Sequence, residues 1–116
     1  MPSSDVWDIV KVPFPYTDRP VREHRPALVI VAGSLAEEHG LLWVLMITSA
    51  ANRRWREDVA ISSQETAGLP APSVVRCAKV ATIETAEAQA IGKLPHRDRA
   101  HVAKKIVQSL GGVRVK

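Results

Sequence analysis

The chain is short of several things that would declare a function. It has one cysteine, Cys77. That excludes an internal disulfide and a cysteine-knuckle metal site, and it fits a reducing, cytoplasmic home. It has three tryptophans, one tyrosine and one phenylalanine. So few rings argue against an RNA-stacking sheet that exposes several aromatics. No apolar run crosses a bilayer: the longest, Leu41–Ile47, falls far short of the ~20 residues a spanning helix needs. The opening MPSSDVWD has no basic region followed by an apolar stretch, so no secretory signal is expected. There is no glycine-rich phosphate loop, no nucleophile-elbow motif, no internal repeat and no low-complexity tract. The four histidines, His24, His39, His96 and His101, are not spaced as metal ligands, and no metal or cofactor is expected.

What is present is a single domain's worth of chain, 116 residues, with 46% apolar residues and a net charge of +4. The pattern is mostly strand. Val6–Phe14 reads as a strand with Val6, Val10, Val12 and Phe14 on one face, ended by Pro13 and Pro15. Residues 1–5 read as a loose tail. A polar loop follows, and a second strand opens at Arg25-Pro26 and runs through Ala27–Val31 with both faces covered. Gly33–Gly40 suits a short connection with a helical turn, and Leu41–Ser49 a central strand. Asp58–Ile61 reads as a short strand and Ser62–Gly68 as a helical turn ending at glycine. Ser73–Cys77 and Lys79–Ile83 read as two short strands, and Ala90–Leu94 as a weaker one. After Pro95 an amphipathic helix is expected over His96–Leu110. Val102, Ala103, Ile106, Val107 and Leu110 form its apolar face, and Asp98 and His101 sit on its wet side. Gly111-Gly112 stops it, leaving 111–116 as a tail. Many short strands with one terminal helix give an α+β, mainly β domain: a small twisted sheet curling towards a barrel.

Charge is the informative feature, because it clusters. Arg19, Arg22, His24 and Arg25 lie in or at the end of one loop. Arg53, Arg54 and Arg56, with Trp55 between them, lie in another. If the strands that adjoin these loops pair antiparallel, Arg25 entering one sits near Thr48 and Ser49 leaving the other. A guanidinium beside hydroxyls matches phosphate oxygens and favours the extra charge of a pentavalent transition state. The plainer reading makes these arginines solubilising charges, offset by Asp18, Glu23, Glu57 and Asp58. Trp55 suits a base-stacking platform or a packing aromatic equally well. Cys77, inside VVRCAKV, reads as an inert packed thiol.

WDIVKVPFPYTD, RPALVIV, LMITS, AGLPAPSVVRCAKVATIE, AIGKL and the closing helix, in that order, resemble the PemK/MazF-like toxins of bacterial toxin–antitoxin pairs. The resemblance covers Trp7 to Leu110. It implies a small SH3-like barrel with added helices, usually a homodimer. It also implies metal-independent, sequence-selective cleavage of single-stranded RNA, in which the substrate's 2′-hydroxyl attacks the neighbouring phosphate and leaves a 2′,3′-cyclic phosphate and a 5′-hydroxyl. Arg25 matches the family's catalytic arginine, and Thr48, followed by Ser49, its phosphate-holding threonine. The cognate antitoxin is expected to lay a disordered acidic tail over the same groove, and no membrane partner is expected. One departure is clear: Trp7-Asp8 stands where the family has Gly-Asp, and Trp7 could crowd or line the groove. Arg25 is a poor general base because arginine keeps its proton, so it is read first as a phosphate clamp and a proton donor to the leaving 5′-oxygen. His24 is the alternative base, although neighbours in a strand face opposite ways. Two other functions remain open on the sequence: a non-enzymatic toxin of the same fold that poisons gyrase, and an inactive RNA-binding module.

Overall fold

A computed structural model of the chain describes residues 4–13 and 23–113. Phe14, Tyr16, Arg19 and Arg22, and the extreme residues of both expected tails, lie outside the described residues. Six strands are seen among the described residues: β1 (Asp8–Pro13), β2 (His24–Val31), β3 (Leu41–Ser49), β4 (Asp58–Ala60), β5 (Ser73–Glu84) and β6 (Gln89–Lys93). Helix α1 (Gly33–His39) joins β2 to β3, and helix α2 (His96–Ser109) follows β6. The strands form one sheet in the order β4-β5-β3-β2-β1-β6, with every neighbouring pair antiparallel. The α+β class and the C-terminal helix are as the sequence implies.

The continuous apolar run of β3 is explained by its position. It lies inside the sheet, between β5 and β2, and buries both faces. Leu45 and Ile47 pack with Ile9, Leu28, Val75 and Cys77 under a roof of Ala67, Leu69, Leu94 and Val102. Leu42, Val44 and Met46 pack with Val10, Val12, Ala27, Val29, Ala81 and Ile83 on the other side. Leu28, Leu42 and Leu45 are fully buried. Each such side chain stabilises the fold by about 1.5–3 kcal/mol. Truncating Leu45 to alanine costs more, about 2–5 kcal/mol, because a cavity remains.

The sheet curls but its strands do not close it. Its edges, β4 and β6, are not hydrogen-bonded to each other. The segment leaving β4 spans the gap: Lys93 N–H donates to the Thr66 carbonyl at 3.1 Å. Here Gly68, at φ +72°, and Gly92 let two backbones meet. A Cβ on Gly68 would strike the Ile91 carbonyl, and one on Gly92 the backbone of Ala67.

Several boundaries differ from the sequence reading, for physical reasons. Val6 precedes β1 and is 40% exposed, so it does not join Val10 and Val12 on the buried face. β5 is one strand, not two. The irregularity near Ala78 is a bulge, where its register against β3 shifts between Leu45 and Ile47. α2 meets β4 and β5 and buries Val102, with Ile106 packed against the core. Val107 and Leu110, expected on the apolar face, are 68% and 57% exposed, and at Leu110 the chain has already left α2 for a 3-10 segment over Leu110–Gly112. Asp98, expected on the wet side, is buried. Its Oδ2 accepts from Ser62 N–H at 2.8 Å and from Ser62 Oγ–H at 3.0 Å, tying α2 to the segment after β4.

Candidate nucleic-acid interface

The antiparallel pairing expected around Arg25 is present. β2 pairs β3 with Ala27 opposite Met46 and Leu28 opposite Leu45. Continued by two residues, that register sets Arg25 level with Thr48. On the other side of β3, Thr48 and Ser49 lie opposite Val74 and Ser73 of β5. Across these strand ends runs an open groove of about 580 Å³. Its lining includes Arg25, His24, Glu23, Thr48, Ser49, Lys11, Asn52 and Ser73. His24 and Arg25 both line it, contrary to the expectation that a strand shows only one of two neighbours to a site. The groove lies across the strand ends, where residues from both sides of the sheet reach it.

Within the groove the Arg25 guanidinium meets the Glu23 carboxylate at 2.9 Å, with both side chains over 40% exposed. Asn52 Nδ2–H donates to Thr48 Oγ1 at 2.6 Å. Ser49 Oγ accepts from Ala51 N–H at 3.2 Å. The hydroxyls that would meet a phosphate are therefore also the anchors of the loop after β3. The sequence reading did not place Lys11, Glu23 or Asn52 in this groove, naming Glu23 only as a charge offsetting the arginines. Lys11 could have been found, since it is the one cation inside the first apolar run. Asn52 carries no sequence signal. Trp7 neither crowds nor lines this groove. It sits before β1 at φ +79°, a conformation that favours glycine. It is held there by Trp7 N–H donating to the Val29 carbonyl and by its own carbonyl accepting from Leu94 N–H, each at 2.9 Å.

The second arginine cluster separates. Of residues 52–56 only Asn52 lines the Arg25 groove. Arg54 and Arg56 face a different groove, between β4 and α2. Arg53 and Trp55 line neither. They are organised by a residue the sequence reading did not single out, Arg76 on β5, which lies directly across from Asp58 on β4. Arg76 Nε–H donates to Asp58 Oδ1 at 3.1 Å. Its Nη2 donates to Asp58 Oδ2 at 3.0 Å and to the Arg53 carbonyl at 2.7 Å. Asp58 Oδ2 also accepts from Trp55 N–H at 2.9 Å. The guanidinium carbon lies 4.1 Å from the centre of the Trp55 ring. So one ring face packs on Arg76, while Trp55 remains 40% exposed. Burial pushes the Asp58 carboxyl up. The hydrogen bonds from Arg76 and Trp55 and the charges of Arg76 and Arg54 outweigh that and hold it below the ordinary carboxylate value. A lone arginine inside the apolar run VVRCAKV was the available signal, since a charge there must be paired.

Cys77 is buried, and its thiol is pushed up to about 11, chiefly by burial. It has the character of a packed thiol and not of a nucleophile. Among the described residues no three His, Cys, Asp or Glu side chains gather as metal ligands, and no helix is long and apolar enough to cross a membrane.

A family model described as the PemK-like, MazF-like toxin of type II toxin-antitoxin system matches residues 5–110. No curated protein sequence matches. Among solved structures, MazF (Form-I) from Deinococcus radiodurans superposes with a TM-score of 0.75 at 22% identity, over 96% of this chain and 99% of that one. A MazE-MazF complex (Form-II) from the same organism gives 0.74 at 20% identity, over 96% and 98%. An endoribonuclease in complex with its cognate antitoxin, from Mycobacterial species, gives 0.71 at 13% identity, over 95% and 97%. At these identities the likeness establishes a shared fold.

Proposed function

The chain belongs to the PemK-like, MazF-like toxins of type II toxin–antitoxin systems, and we propose that it acts as a metal-independent endoribonuclease on single-stranded RNA. The observation that carries this reading is the convergence of Arg25 and Thr48, from two different strands, on one open groove with His24 and Ser49. Single-stranded RNA carries its own nucleophile. The 2′-oxygen forms a bond to phosphorus as the bond to the 5′-oxygen breaks, giving a 2′,3′-cyclic phosphate and a 5′-hydroxyl. The protein has to grip the phosphate, stabilise the added charge and move two protons. The Arg25 fork suits the non-bridging oxygens, and Thr48 with Ser49 supplies hydroxyl donors. The 2′-hydroxyl proton goes to a base, for which His24 is the candidate, and the leaving 5′-oxygen takes a proton from the Arg25 guanidinium, which regains one from solvent. Glu23 holds the Arg25 guanidinium in the free protein, and the incoming phosphate displaces it.

The proposal includes three partners: single-stranded RNA in the cytoplasm, a cognate antitoxin whose acidic tail competes for the groove, and a second copy of the chain. The antitoxin is supported by the complexes among the structural neighbours. The Arg25 groove, with Arg25 and Lys11 at its wall, has the charge such a tail would seek.

The test is cleavage of single-stranded RNA by the purified protein in EDTA, with the new ends sequenced as 5′-hydroxyls. Arg25→Ala should remove most of the activity and stay folded. RNA that binds and emerges uncut would favour a binding module. Intact RNA beside stalled gyrase–DNA complexes would favour a gyrase poison.

A further inference from the structure

The groove between β4 and α2 has no part in the reaction just described. It measures about 390 Å³ and has Arg54 and Arg56 on one wall and His101 and Lys105 on the other. A shallower recess of about 260 Å³ continues it, sharing Arg56 and Lys105. We propose that this trough is a second RNA site, a track for the phosphates of single-stranded RNA that extends beyond the scissile bond. The proposal rests on the endoribonuclease reading and assigns α2 a role in it.

Four observations favour a nucleic-acid backbone as the occupant. First, the walls are built for it. His101 and Lys105 lie one helical turn apart on the same face of α2, opposite two guanidinium groups. Second, the acids in the trough are occupied. Asp58 is held by both prongs of the Arg76 fork, and Asp98 Oδ2 accepts two hydrogen bonds from Ser62. Glu57 lines only the outer recess. Third, a short stretch of chain links the trough to the Arg25 groove. Asn52 lines one and Arg54 the other, and two residues of chain span at most about 7 Å. A strand lying across Thr48 thus passes within a few ångströms of the chain that carries Arg54 and Arg56. Fourth, among the described residues the only apolar ones lining the trough are Val59 and Ala60. A docked acidic peptide needs more apolar anchorage at the centre of its interface.

The experiment compares a short RNA, covering the Arg25 groove alone, with a longer one. Both are 2′-O-methylated so that neither can be cut, and binding is read across a salt series. Affinity is thus measured whether or not the chain cleaves RNA, and failure of the nuclease reading would show separately, as uncut native RNA. In Arg56→Gln/Lys105→Gln the salt slope for the longer RNA should fall by about 1.4, the value for two lost single-strand phosphate contacts. The affinity ratio of longer to shorter RNA should drop towards one. Thermal unfolding checks the fold, and Lys105→Gln alone, with a slope change of about 0.7, stands in if the double variant unfolds. An unchanged slope and ratio, or equal weakening for both lengths, overturns the proposal. So does a variant that keeps the longer RNA but loses a polyglutamate peptide, which would make the trough a protein-binding site.

Discussion

Arg25 and Arg76 are the same residue placed for opposite ends. Arg76 has a side chain 12% exposed, against an Asp58 side chain that is fully buried. Its Nε and Nη2 donors are spent on Asp58 and the Arg53 carbonyl, and Trp55 covers its face. Arg25 pairs with Glu23 at a similar distance, but there the two side chains are 44% and 42% exposed. An exposed pair of that kind contributes little, about 0–1 kcal/mol, and yields easily to a competing anion. A buried fork on a buried carboxylate does not yield. The difference marks Arg76 as part of the fold, and it is the difference that the role proposed for Arg25 requires. It also shows why a count of arginines in the sequence could not separate the two.

The largest effect that would break this contrast is on stability. Arg76→Ala leaves the Asp58 carboxylate buried without its fork, and chemical denaturation should show a loss of about 3–5 kcal/mol. A loss below about 1 kcal/mol would place Arg76 with the exposed arginines. The same pair predicts an acid limb. Asp58 titrates lower in the folded than in the unfolded protein. Its contribution is therefore fully present above the unfolded carboxylate value of about 4 and is lost as pH falls through the folded value. Asp58→Asn should flatten that part of the stability–pH curve.

Arg25→Ala tests the other side. Losing one preorganised donor to a charged transition state costs about 10²–10³ in rate, while unfolding free energy should move by no more than about 0.5 kcal/mol. A variant that is both inactive and substantially destabilised would mean that Arg25 is structural after all.

The groove at the two strand ends was legible in the sequence because both parts of it are written in one dimension. Apolar runs gave β2 and β3, a basic loop led into one and hydroxyls closed the other. Antiparallel pairing did the rest. What was not legible depends on which face a side chain takes. Asp98 looked solvated because the helix period put it there, yet Ser62, far away in sequence, brought it inside. Val107 and Leu110 looked buried by the same period, yet both are exposed, and at Leu110 the chain has left the helix. Arg76 was hidden because its partner Asp58 lies on another strand. The Arg54/Arg56 cluster was visible, but its separation from Arg25 was not, since that depends on how β4 turns under α2.

A smaller effect sharpens the contrast at the groove itself. If Glu23 is a placeholder that a phosphate displaces, Glu23→Gln should lower KM by up to about fivefold with kcat little changed. A fall in kcat at constant KM would instead make the carboxylate part of the proton transfer.

The smallest net effect is expected at Trp7, which involves a third arginine of intermediate character. Arg99 Nε–H donates to the Leu94 carbonyl at 3.1 Å, and its guanidinium lies 5.9 Å from the Trp7 ring, close to the outer limit for such a contact. Trp7 is half-buried against the core but sits at φ +79°, where a residue with a Cβ is strained by about 1–2 kcal/mol. Trp7→Gly removes that strain along with the indole packing, and glycine adds about 0.5–1 kcal/mol of chain entropy to be lost on folding. The strain released opposes the two losses, so the variant should lose less stability than removal of the indole packing alone would cost. The informative comparison is with Trp7→Ala, which loses the same packing and keeps a Cβ at positive φ. Alanine should be the less stable of the two, reversing the usual order at a strand edge. If alanine matches or exceeds glycine in denaturant, the backbone at Trp7 relaxes once the indole is gone. The ring, with Arg99 beside it, would then be what holds the positive φ.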